Sequence, residues 1–213
     1  MRHLSEAMPS RTPPRFDLVG GRLCLDFCNT HGSRSGAPEE RFSTYQEVIG
    51  WAWRASILNA EEAARLGRLA TRTATESLAV WERVLRLRTA LQALFTAIAE
   101  GKRVRPSWVE ALNQELASAM ARSQVVPTDS GFTWVWAQGG KALDSMLWPV
   151  ARSAADLLTE GPISTIRVCE GRGCGWLFLD TSRNRTRRWC DMKICGNRAK
   201  ARRHHERAKA GAA

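Results

Sequence analysis

The chain has 213 residues, enough for one ordinary domain and a small accessory one. Its 44% hydrophobic and 25% charged residues, with nine tryptophans against one tyrosine, describe a packed protein and exclude a disordered one. No run approaches the ~20 apolar residues that cross a bilayer and none near the start has signal-peptide length, so a cytoplasmic location without a membrane partner is expected.

The net charge of +11 is unevenly spread. Residues 161–213 carry 13 Lys+Arg against 4 Asp+Glu, whereas residues 1–160 carry 19 against 17. A basic excess gathered in the last quarter is an electrostatic footprint for nucleic acid, although charge alone fits a solubilising tail equally well.

In chain order, residues 1–16 are polar and contain prolines, and read as a loose arm. The apolar segment Leu18–Thr30 is ambiguous. Leu23, Leu25 and Phe27 alternate as in a strand, yet Leu23, Cys24, Phe27 and Cys28 share one helical face. Cys24 and Cys28 read as small buried hydrophobes. A loop rich in Gly, Ser and Pro spans His31–Arg41. Helical signals follow: Ser43 with Gln46, Asn59 with Glu62 and Ser107 with Glu110 have capping-box spacing. A long helix is expected from about Thr75 to Glu100, closed by Gly101. Val125-Val126, a turn, then alternating Phe132, Trp134 and Trp136 predict a β-hairpin. A last helix of this part is expected over Lys141–Leu158, kinked at Pro149. Gly161-Pro162 marks a boundary. The expected organisation is an arm over 1–16, a mainly α domain with a small β component (α+β) over 17–160, and a C-terminal module over 161–213.

That module carries Cys169-x4-Cys174-Gly and, after fifteen residues, Cys190-x4-Cys195-Gly. Two close pairs joined by a loop suit tetrahedral Zn²⁺, each pair holding two vertices. A reducing location disfavours disulfides. Gly175 and Gly196 follow the second cysteine of each pair, where positive φ turns N–H groups toward sulfur. One structural zinc is expected, held by Cys169, Cys174, Cys190 and Cys195. Four thiolates and one zinc together subtract two from the tail, leaving about +7. Ile166 and Val168 lead into the first pair, Trp176–Leu179 leave it as a hairpin, and Cys190 and Cys195 precede a helix over about Asn197–Lys209. Knuckle, hairpin and ligand-bearing helix give a treble-clef-like four-cysteine zinc finger. So few apolar residues leave much of the folding free energy to the metal.

Arg183, Arg185, Arg187 and Arg188 lie in the loop and Lys193 between the last two ligands. Asn197, Arg198, Lys200, Arg202, Arg203, Arg207 and Lys209 lie on the final helix, which has no large apolar residue to bury. Arginines on a stiff frame suit phosphate contact, with arginine or Asn197 available for base edges. His204 and His205 belong to the same surface, since the cysteines already complete the metal site.

The strings Phe178-Leu-Asp-Thr-Ser-Arg183, Arg187-Arg-Trp-Cys190 and Cys195-Gly-Asn-Arg198 resemble the CGNR zinc finger family over about residues 166–209. Leu23-Cys-Leu-Asp-Phe-Cys-Asn-Thr30 and the helices after it resemble the ABATE domain, which accompanies that finger in bacterial stress-induced transcription regulators. The resemblance implies a DNA-binding finger joined to a domain that senses a ligand.

On the long helix, Trp81, Val84, Arg88, Leu91 and Phe95 share one side and Arg83 and Arg86 the other. Arg88 therefore points inward and needs an acceptor. Asp26 is the expected structural partner; alternatively Arg88 and Asn29 hold a small anionic effector. An enzyme is not expected. No nucleophile–base or phosphate-loop motif is present, His3 and His31 are the sole imidazoles before the tail, and four thiolates leave no open coordination position. RNA or an acidic protein surface is the rival partner to DNA. A monomeric finger makes a small footprint, one that a homodimer through the tryptophan-rich domain would enlarge.

Overall fold

The computed structural model describes residues 16–32, 39–137 and 140–210. The arm expected over 1–16 lies outside them except for Phe16, as do His3 and most of the His31–Arg41 loop. In chain order the elements are α1 (Leu23–Cys28), α2 (Tyr45–Arg54), α3 (Ala60–Arg72), α4 (Ala74–Ala99) and α5 (Pro106–Met120). There follow β1 (Ser123–Thr128), β2 (Gly131–Trp136), α6 (Leu147–Thr159), β3 (Ile166–Val168), β4 (Leu177–Leu179) and α7 (Asn197–Ala210). Among the described residues the fold is mainly helical with two small sheets, and no described helix is long and apolar enough to cross a membrane.

α4 is the axis of the helical body. Val84, Leu87, Leu91, Leu94 and Phe95 are buried along it, and α1, α2, α3 and α5 pack around it, with α6 closing against α5 and α1. Gly101 stops α4, adopting φ +64 where a side chain would be strained. An aromatic cluster fills one end, with the Phe27 ring centroid 5.3 Å from that of Trp51 and Phe42 5.9 Å from Trp51.

The ambiguous N-terminal segment resolves as helix: Cys24, Leu25, Phe27 and Cys28 are buried in α1. Both thiols are free, and burial pushes Cys24 up to about 12, as befits packing residues. The Asn59–Glu62 box forms as expected. The first box sits one residue later, on Thr44 and Glu47, where a carboxylate returns the Thr44 N–H bond instead of a glutamine amide. The third does not form. Arg105 is the N-cap of α5, because Pro106 fits the first helical position with its preset φ and absent donor. The β1–β2 hairpin is as expected, antiparallel, pairing Val125 with Trp134 and Thr128 with Gly131. The helix expected from Lys141 begins only at Leu147, which puts Pro149 in its first turn. Nothing there requires a donor from Pro149, and the expected kink loses its cause.

The tail is not a separate bead. Ile166, Leu177 and Leu179 belong to the same apolar core as α1 and α4. Two buried hydrogen bonds fasten the contact. Asn29 Nδ2 donates to the Leu177 carbonyl at 2.8 Å, and Leu177 N–H donates to Asn29 Oδ1 at 2.8 Å. The side-chain amide thus imitates a peptide unit of a neighbouring strand. Leu179 N–H likewise donates to the Gly20 carbonyl at 2.9 Å.

Candidate metal centre and nucleic-acid interface

The outer end of the β3–β4 hairpin is a turn carrying Cys169 and Cys174, closed by Cys169 N–H to the Trp176 carbonyl at 2.8 Å. Gly175 has φ +66, as expected for the residue leaving the first pair. Gly196 does not share this conformation. It ends a π-helical turn, Met192–Gly196, where a Cβ would meet the Met192 sulfur and push that exposed side chain aside. Asp191 begins that turn, its Oδ1 accepting from Lys193 N–H at 2.7 Å and Ile194 N–H at 3.1 Å.

These two turns bring the four sulfurs within 4.8 Å of one another, all buried. Cys190 Sγ lies 3.7 Å from both Cys174 Sγ and Cys195 Sγ. A tetrahedral ion with Zn–S bonds of about 2.3 Å needs its sulfurs about 3.8 Å apart. The geometry therefore fits one zinc, and is far too long for disulfides. Cys169 Sγ also accepts N–H bonds from Cys190 at 3.3 Å and Gly171 at 3.4 Å, which favours the thiolate. Hydrogen bonding from Cys174 and Cys190 holds Cys169 low, while bonding to Cys169 pushes Cys174 and Cys190 up. The finger holds one structural zinc, and Trp176, Phe178 and Trp189 pack around it.

The ten residues expected to meet nucleic acid fall into three groups. Arg183, Arg185, Lys193, Asn197, Lys200 and Arg203 are exposed. Asn197, Lys200, Arg203 and Arg207, at intervals of three and four, form one stripe of α7. Asn197 Nδ2 donates back to the Lys193 carbonyl at 3.0 Å. Arg198 and Arg202 are half-buried on the flank toward Arg172, with Arg202 3.8 Å from Glu206. Arg187 and Arg188 are held by the finger itself. The Arg187 guanidinium donates to the carbonyls of Trp189 and Cys190 and stacks 4.4 Å over Phe178; Arg188 pairs with Glu170 while remaining exposed.

Asp180, marked in the sequence only as part of a family string, organises the loop. It is buried, and its carboxylate accepts from Ser182 N–H at 3.0 Å, Ser182 Oγ at 2.5 Å and Arg187 N–H at 2.9 Å. Burial opposes ionisation, but these bonds hold Asp180 below its ordinary range.

Arg88 is buried as expected, but its partner is Glu40 rather than Asp26. Arg88 Nη1 donates to Glu40 Oε1 at 2.7 Å and to Thr30 Oγ1 at 3.2 Å, and its Nη2 meets Glu40 Oε2. Asp26 instead accepts from Gly20 N–H at 2.7 Å, a bond that ties the strap preceding α1 to that helix. The Asn29 amide is engaged at both ends by Leu177 rather than by Arg88. Arg83, expected on the outer side of α4, is bridged to Glu115 at 2.7 Å and Asp144 at 3.2 Å.

A helical body that shares its core with a four-cysteine treble clef, itself ending in a basic helix, defines a zinc-finger protein with a built-in second domain. Two family models match the chain. The ABATE family, described as "Putative stress-induced transcription regulator", matches residues 21–161, and the CGNR zinc finger matches residues 165–208. The chain belongs to the ABATE family and carries a CGNR zinc finger. No curated protein matches it.

Proposed function

We propose that the protein regulates transcription in the cytoplasm by binding duplex DNA through its zinc finger, while the domain over 17–160 holds a small effector beside Arg88. One observation carries the DNA reading. The exposed stripe Asn197, Lys200, Arg203 and Arg207 has no apolar residue to bury and stands on a zinc-anchored turn with Lys193 at its foot. Lys200, Arg203 and Lys193 contact phosphate, joined by Arg183 and Arg185 from the loop, and Asn197 faces base edges. Arg187 and Arg188 set the loop that presents the other two, and Arg198 and Arg202 flank the stripe.

Selection from a random duplex library by the zinc-loaded chain tests this reading. An enriched sequence is expected, and about six phosphate contacts give a log–log salt slope near −5. Equal competition by single-stranded RNA, or no enrichment, rules it out.

A further inference from the structure

A groove of about 590 Å³ runs along α4, bounded by His31 and Glu40 on one side and by Trp108 of α5 on the other. That volume lies in the usual range for small-molecule sites. Its lining along α4 includes Thr89, Ala93, Thr96 and Ala97, small residues that leave a largely apolar surface, together with the Trp108 indole. The charges around it are already matched. Arg88 is paired with Glu40, and Lys102 Nζ lies 2.6 Å from Glu100. An anion would have to displace Glu40, which the chain holds at high effective concentration.

One polar group in the groove is left wanting. Gln92 Nε2 donates to the Gly175 carbonyl at 3.3 Å, which fixes the amide orientation and leaves Oε1 buried with no partner among the described residues. An unmet buried acceptor asks for a donor from whatever fills the space. Gly175 is the residue directly after the zinc ligand Cys174. The groove is therefore linked to the metal turn through Gln92.

We propose that the groove is a binding site for a neutral, planar aromatic molecule with one N–H or O–H donor, read by Gln92, and that Gln92 relays its occupancy to the zinc turn. This rests on the reading of the helical body as a ligand sensor and replaces its anion with an uncharged donor. The small residues along α4 and Trp108 take the ring. Because Gln92 Oε1 is closed off as it stands, the amide must turn toward the groove to take the donor, and that turn alters its bond to Gly175. Coupling of this kind is reciprocal, so DNA and ligand change each other's affinity by the same factor.

Indole serves as the probe, titrated into the full zinc-loaded chain and followed by calorimetry and by the NMR amide resonance of Gly175. Saturable binding that moves the Gly175 resonance is expected. 1-Methylindole, the same body without its donor, binds about tenfold more weakly, since the carbonyl stays unpaired. Ala93→Trp abolishes binding by filling the floor, and Thr89→Trp, at an exposed position, does the same without touching the core. Gln92→Leu erases both the Gly175 shift and the preference for indole over 1-methylindole. Absence of saturable binding overturns the proposal. So does binding that survives both tryptophan variants, equal affinity for 1-methylindole, or tighter binding of benzoate. Duplex binding measured without probe is a separate readout, so failure of the DNA reading and failure of the groove are told apart.

Discussion

Asn29→Leu removes the two hydrogen bonds by which the helical body holds the finger hairpin, while nearly preserving side-chain volume. Asn29 is 2% exposed and Leu177 fully buried, so water cannot replace the lost partner at either the Leu177 N–H or its carbonyl. Each buried backbone group left unsatisfied costs about 1–3 kcal/mol, and the pair about 2–5 kcal/mol. Urea unfolding of the zinc-loaded protein should show that loss as a lower midpoint at unchanged slope. Hydrogen exchange should show the Leu177 amide losing protection before the amides of α4 do. Zinc stoichiometry stays at one, since no ligand is touched. A loss below about 0.5 kcal/mol, within the range of an ordinary surface substitution, would refute the assignment of Asn29 as the clasp. So would an unchanged Leu177 amide.

Zinc removal is expected to unfold the turn Met192–Gly196 and α7 while the helical body persists, visible as lost helical circular dichroism on chelation; an unchanged spectrum and melting curve would contradict a structural metal. Glu40→Ala strands the Arg88 guanidinium and should cost about 1–3 kcal/mol, discounted because the Glu40 side chain is 38% exposed, with thermal melting as the measure. Burial works against the Glu40 carboxylate, yet its bonds to Arg88 and Phe42 hold it below the ordinary value. Its contribution is therefore present above its unfolded-state pKa and lost as pH falls through the lower folded one, and the variant should show a shallower acid transition. Asp26 has the opposite sign. Burial raises it from 3.8 to about 6 against the Gly20 and Val19 N–H bonds, so its contribution is full below 3.8 and lost as pH rises through about 6. Asp26→Asn should flatten stability over that window, as read from melting temperatures across a pH series. Arg187→Met should lower stability with little change in the salt slope of DNA binding, whereas Lys200→Ala should reduce that slope by about one and leave stability alone.

The metal site is legible in the duplicated cysteine spacing itself, because tetrahedral coordination leaves few ways to use two such pairs. The long helix, the first hairpin and the basic tail are equally readable from periodicity and charge. Three features are not. The α1 segment satisfies two periods at once, and packing against α6 and the hairpin decides between them. Arg88 announces that it needs an acid but not which one. Glu40 reaches it through a loop whose path no periodicity records, while Asp26 is diverted to the Gly20 N–H. The arginines of the finger look alike in sequence, yet the short turn around Asp180 folds Arg187 inward to stack on Phe178 and leaves Arg183 exposed. The boundary at Gly161-Pro162 marks a change of composition, and says nothing of the apolar surface that later joins the two sides.

The shared hairpin has a practical corollary for anyone wishing to transplant the finger. Excised at Gly161, it would carry Ile166, Leu177 and Leu179 into water as a sticky flank, and even fully metallated it should self-associate. A graft that works will have to bring Asn29 and its helix along, or repaint those three positions with polar side chains. The finger is less a detachable bead than a limb of the helical body.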